Sequence, residues 1–229
     1  MRIQGWDIAP NHAGFVEIED GHVLALWFYT TLVEAAKRGK DHAERTPTIA
    51  SKDLDERSLL RTLWVEDFIK RRVLTSKPDF IGIEGYALEG GSSPHYTGEL
   101  GGMARRLAYH SGAKVRIVDP MTVKMFAAHN GAAKKPEVRA AILERWGLRF
   151  NDFDPPKKPK AKNQNTTTSE DLCDAFAIAK FVELEIELRA GRMALNELHA
   201  KEIQCFNRVT KAYPVNLLGR EWLQKGTER

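Results

Sequence analysis

The sequence predicts an α/β protein built on one mixed sheet flanked by helices, and three observations carry that prediction. Three strand-like segments open the chain, before any helical pattern begins. Asp20-Gly21, a strong hairpin signal, joins the second of them to the third. The later strands, Phe80-Ile81-Gly82-Ile83 and Val115-Arg116-Ile117-Val118, are short apolar runs separated by helical stretches, the pattern of strands buried inside a sheet.

Residues 2–9 read as a strand up to the Pro10-Asn11 turn, 14–19 as a second and 22–31 as a third. Residues 37–52 are polar and aperiodic and are expected to form a loop or mobile insertion. Asp53 has the chemistry of a helix N-cap, and Leu59, Leu60, Leu63, Trp64 and Phe68 recur behind it at helical spacing. Pro78 ends that region. Gly90-Gly91-Ser92-Ser93 reads as mobile backbone, followed by a helix from about Gly98 to His110. Asp119-Pro120 opens the next helix, and another runs from about Pro136 to Trp146. Residues 151–168 hold three prolines and four lysines and are expected to be a flexible loop. Thr167 and Glu170 are spaced as a capping box for the last core helix, which carries Leu172, Phe176, Ile178, Ala179 and Val182. This organisation predicts a core domain of residues 1–184 and a helical C-terminal extension over 185–229.

With 229 residues, 42% of them hydrophobic and 29% charged, the chain is long enough for one sizeable core. Two cysteines make no disulfide framework, so a reducing, cytoplasmic setting is the expectation. No apolar run approaches the roughly 20 residues that span a bilayer, and the N-terminus enters a strand pattern at once, so neither a membrane partner nor a signal peptide is expected. Net charge is only +4, but between Glu99 and Lys162 there are fourteen Lys/Arg against six Asp/Glu. That concentration points to a polyanion such as DNA or RNA.

Four carboxylates stand out. Asp7 lies inside an apolar strand, where a carboxylate is disfavoured and is costly if buried unpaired. Glu84 ends a second apolar strand. Asp171 and Asp174 are three apart at the start of an apolar helix and share a face. Such acids repel one another, and a divalent cation offsets that repulsion. Oxygen ligands without imidazole or thiolate suit Mg²⁺ or Mn²⁺. Two ions about 4 Å apart can drive in-line displacement at a phosphodiester.

The runs Gly5-Trp6-Asp7-Ile8-Ala9-Pro10, Ile81-Gly82-Ile83-Glu84 and Asp171-Leu172-Cys173-Asp174-Ala175-Phe176-Ala177-Ile178-Ala179 resemble RuvC-type Holliday-junction resolvases. Asn130-Gly131-Ala132-Ala133-Lys134-Lys135 fits the same pattern, and the resemblance spans roughly residues 3–184. It implies a ribonuclease-H-like fold, with three antiparallel strands followed by parallel ones. It also implies a two-Mg²⁺ endonuclease acting on four-way junctions and other branched DNA, working as a homodimer. Asp7, Glu84, Asp171 and Asp174 become the metal-binding acids, and Lys135 acts at the scissile phosphate. Lys124, Lys134, Lys135 and the loop lysines Lys157, Lys158, Lys160 and Lys162 become DNA contacts. The family commonly has an aromatic residue three positions after the strand-end Glu; here that place is Ala87, which makes the preceding Tyr86 the candidate for probing the junction. The segments beyond the compact bacterial pattern resemble longer bacteriophage relatives, so the expected setting is a bacterial or phage-infected cytoplasm. The helix of residues 98–110, with Gly101, Gly102 and Ala104, is the candidate dimer interface. Two rivals remain: a same-fold nuclease for forks, flaps or RNA–DNA hybrids, and a non-catalytic junction-binding protein. His12 and His129 are expected at the surface, the tryptophans in packing roles, and Cys173 in the core.

Overall fold

The sheet begins as a meander. Strand β1 (Arg2–Ile8) pairs antiparallel with β2 (His12–Glu19), and β2 pairs with β3 (His22–Thr30) across a turn in which Asp20 and Gly21 both have positive φ, as a two-residue hairpin with matched twist requires. The computed structural model describes residues 1–31, 33–85, 94–150, 168–210 and 214–226. The chain continues through α1 (Val33–Gly39), β4 (Ala43–Arg45), α2 (Leu54–Phe68), β5 (Phe80–Glu84), α3 (Pro94–His110), β6 (Lys114–Val118), α4 (Pro120–Ala128), α5 (Lys135–Trp146), α6 (Thr168–Arg189) and α7 (Ala200–Asn207). The strands lie in the order β4-β3-β2-β1-β5-β6. Strands β5 and β6 run parallel to β1, so three antiparallel strands are followed by parallel ones, the order expected from the sequence. Among the described residues, no helix is long and apolar enough to cross a membrane.

Strand alternation divides the core. Trp6, Phe15, Tyr29, Ile81 and Ile83 pack on one face with Val65 and Phe68 of α2 and Leu100 and Ala104 of α3. Ile3, Val16 and Ile18 face the other way, against α6 and the helices around it. Helix α6 crosses the middle of the sheet, with Leu172, Ala175, Phe176, Ala179 and Val182 fully buried. It lies unusually close because three strand positions beneath it are glycine. A Cβ at Gly5 would sit 1.9 Å from the Ala175 carbonyl oxygen, one at Gly14 2.5 Å from that of Asp171, and one at Gly82 2.5 Å from Ile178 Cγ2.

Local capping agrees with the sequence. Asp53 accepts from the Asp55 and Glu56 amides, and Asp119 accepts from those of Met121 and Thr122. Three expectations need correction. Residues 37–52 are not a loop throughout: α1 reaches Gly39, and β4 pairs in parallel with the end of β3, its Glu44 held by Arg71 and Arg72. A three-residue edge strand is too short to leave a hydrophobic period. In α2, Leu59, Leu60 and Leu63 are 51%, 41% and 50% exposed, whereas Thr62, Val65 and Phe68 are buried. The inward stripe is set by packing of Trp64 and Phe68 against Tyr29, which turns those leucines outward. Lastly, the 184/185 boundary falls inside α6, and the C-terminal segment beyond that helix packs on the domain. Phe206 of α7 is fully buried and stacks on Phe181 at 4.7 Å, while Leu223 bridges Val115 at the β6 edge. Only one eight-residue α-helix is formed by the described residues of this tail beyond α6.

Candidate active site

The four predicted acids converge at one place on the α6 face of the sheet. Asp7, near the end of β1, lies opposite Gly14 in the β1–β2 register. Glu84 ends the neighbouring parallel strand β5, and its carboxyl lies within hydrogen-bonding reach of that of Asp7. Asp171 and Asp174 come from the first two turns of α6, which the glycines beneath it bring down onto β1 and β2. Asp7, Asp171 and Asp174 are all buried. Lys135, at the start of α5, reaches in with Nζ 3.2 Å from Asp171 Oδ1 and 4.0 Å from Asp174 Oδ2.

Four carboxylic acids so placed cannot all ionise freely. Burial and the charge of Asp171 raise the Asp7 pKa above its ordinary value, against the pull of Lys135. Burial and Asp7 hold Glu84 well above the usual carboxylate range. Asp174 is pushed up to about 8, first by burial and then by Asp7. Lys135 is desolvated, yet the charges of Asp171, Asp7 and Asp174 outweigh that and raise its pKa. Lys135 thus supplies part of the cationic charge that these clustered carboxyls call for.

Among the described residues, no three His, Cys, Asp or Glu side chains already surround a common point as ion ligands do. The donor set still fits a hard divalent ion. It consists of carboxylate oxygens from separate elements, whose mutual repulsion Lys135 offsets in part here.

His12 was expected at the surface but belongs to this site. It opens β2, two residues before Gly14 on the same face, and its Nδ1 lies 2.9 Å from Asp171 Oδ2. Burial disfavours its charged form, but the hydrogen bond to Asp171 and that group's charge win and raise its pKa. Strand alternation with the Asp7–Gly14 pairing was the signal that could have found it. The other candidates separate. Lys124 is near enough for its charge to act on Asp174. Lys134 caps α5, its backbone N–H donating to Glu137. His129 stacks on His199 at 3.9 Å and faces Glu202 at 3.7 Å. Cys173 is buried, as expected. Tyr86, the Gly90–Ser93 segment, Thr167, Lys157, Lys158, Lys160 and Lys162 lie outside the described residues.

Because a Cβ at position 14 would meet the Asp171 backbone, Gly14→Ala is expected to shift the first turn of α6. An overpacking loss of about 1–3 kcal/mol is expected in a denaturant melt. An unchanged melt would show that the strand glycine is not what lets α6 come so close.

No protein-family model and no curated protein sequence matches the chain. Several solved structures do. Thermus thermophilus RuvC is 20% identical over 78% of this chain and 90% of that one, with a TM-score of 0.43. The same protein in complex with a Holliday junction substrate is 22% identical over the same shares, with a TM-score of 0.45. The Fowlpox virus resolvase in complex with Holliday junction DNA is 11% identical over 81% of this chain and 99% of that one, with a TM-score of 0.36.

Proposed function

We propose that the chain is a divalent-cation-dependent endonuclease that cuts branched DNA, four-way junctions foremost, in the manner of the RuvC-type resolvases its motifs resemble. The observation that carries this reading is the meeting of Asp7, Glu84, Asp171 and Asp174, from β1, β5 and α6, beside Lys135. A structural role gives no reason to gather acids that raise one another's pKa in a buried place. A cation site on a polyanion does. Asp7, Glu84, Asp171 and Asp174 would hold Mg²⁺, two ions to a site, with Mn²⁺ able to replace it, and Asp171 could instead orient water. Ions held there supply an activated water and neutralise charge at the leaving oxygen. Lys135 would offer charge to the phosphate, and Lys124 and Lys134 would hold the DNA backbone. A two-fold dimer follows from the substrate, because symmetric cutting of opposed strands needs two related sites.

The test is a cleavage panel of labelled four-way junction, fork, flap, duplex and RNA–DNA hybrid with Mg²⁺. Paired symmetric cuts in the junction are expected. Cutting confined to forks, flaps or hybrids would replace the resolvase reading with another nuclease specificity, and binding without cutting of any substrate would remove the nuclease.

The raised acid pKa values also fix a pH dependence. A carboxyl whose pKa is 3.8 unfolded and about 8 folded adds stability that is complete below the first value and is lost as pH rises through the second. Without metal, Asp174 should therefore make the fold less stable at about pH 8 than at about pH 5. A divalent ion displaces the protons, so the melting temperature gained on adding MgCl₂ should be larger at the higher pH. Melts with EDTA and with MgCl₂ at both values check this, and an equal gain at both would count against a cation among these acids.

A further inference from the structure

We propose that His12 is the positioning residue for Asp171, fixing one carboxylate oxygen on the protein so that the other is presented to a cation; this rests on the nuclease reading above. Asp171 is 1% exposed and both of its oxygens are engaged. Oδ2 meets His12 Nδ1 at 2.9 Å, and Oδ1 takes Lys135 Nζ at 3.2 Å. The two partners differ in kind. Lys135 stands on a four-carbon stem and lies between Asp171 and Asp174, so it is a mobile charge that an ion can displace. His12 is a short, planar side chain rooted in a central strand of the sheet, on the face that α6 covers. A carboxylate turns about its last bond in a broad, two-fold well, and a single fixed donor is enough to select one orientation. His12 thus holds Oδ2, and Oδ1 is the oxygen free to exchange Lys135 for a metal ion. Hydrogen bonds of this sort behind a ligating carboxylate are worth about 10–100-fold in metal affinity or activity.

The experiment uses the full chain and four proteins: wild type, His12→Ala, His12→Asn and Asp171→Asn. Ca²⁺ binding is measured by calorimetry without DNA, junction affinity in the presence of Ca²⁺, and cleavage at saturating Mg²⁺. Thermal melts confirm that each variant folds. His12→Ala is expected to weaken Ca²⁺ binding about tenfold and to slow cleavage about 10–100-fold, with junction affinity unchanged. His12→Asn, whose side-chain amide can donate from nearly the same place, should recover most of both losses. Wild-type Ca²⁺ binding and cleavage in His12→Ala would overturn the proposal, and so would an equal loss in His12→Ala and His12→Asn. Asp171→Asn separates the two failures. If it abolishes binding and cleavage while His12→Ala changes neither, only the role of His12 falls. If it changes neither, the nuclease reading of this site falls with it.

Discussion

Replacing Asp174 by Asn is expected to abolish function while stabilising the metal-free protein. Cleavage of a four-way junction should fall at least about a hundredfold, a barrier increase of roughly 2.7 kcal/mol, because an amide cannot supply a charged oxygen to a cation. The stability effect has the opposite sign. Asp174 is buried, its charge is opposed by Asp7 and Asp171, and Lys135 at 4.0 Å relieves only part of that, which leaves its pKa at about 8. Asn has nearly the same shape and no charge. The unfolded carboxyl ionises above 3.8 while the folded one stays mostly protonated up to about 8, so the gain should be small in acid, grow between those two values and level off above the second. Melting curves in EDTA at acid and alkaline pH, with cleavage rates in Mg²⁺, measure both effects. A variant less stable than wild type in EDTA at alkaline pH would make the Asp174 carboxylate a structural group. Retention of more than about a tenth of the wild-type rate, under roughly 1.4 kcal/mol of barrier, would remove it from the reaction.

The acids were legible because each breaks a local rule. An Asp inside an apolar strand, and two Asp at the head of a helix that runs on through Ala175, Phe176, Ala177, Ile178 and Ala179, are places where sequence and local structure disagree, and such places gather at functional sites. His12 breaks no rule. A histidine beside a turn is ordinary until the β1–β2 register puts Asp7 across from Gly14 and α6 above both. Gly5, Gly14 and Gly82 were invisible for the same reason, since their meaning lies in the helix that rests on them and not in any turn. The hairpin, the helix caps at Asp53 and Asp119 and the buried strands were read from short-range chemistry. The misread parts depend on long-range packing. Strand β4 exists because β3 offers it an edge, and the leucines of α2 face outward because Tyr29 selects Trp64 and Phe68 instead.

The way the tail is held was not legible in the sequence, and Glu185→Ala tests it. Glu185 is fully buried on α6 and binds Arg116 of β6 through two hydrogen bonds, at 2.9 and 2.6 Å. It also accepts from Arg189 Nε at 2.8 Å. The two guanidiniums donate in turn to the carbonyls of Leu217, Arg220 and Glu221, and Arg116 lies 4.4 Å over the Trp222 ring. One carboxylate therefore balances two arginines that grip the tail. Its removal strands Arg116 in the core without a counter-charge, a change that costs about 3–5 kcal/mol. The unfolding midpoint in urea should drop accordingly, and the chain beyond Arg189 should become susceptible to protease. Release of Leu223 from Val115 would bare the β6 edge, so the variant should also aggregate more readily. Cleavage per folded molecule should persist, because Glu185 lies about three turns along α6 from Asp174. Exchanging both partners for apolar residues, Arg116→Met with Glu185→Leu, should recover part of the lost stability, since a buried pair replaced as a unit leaves no orphaned charge. A loss under about 1 kcal/mol in Glu185→Ala would mean that the tail is held by Phe206 and Trp222 alone.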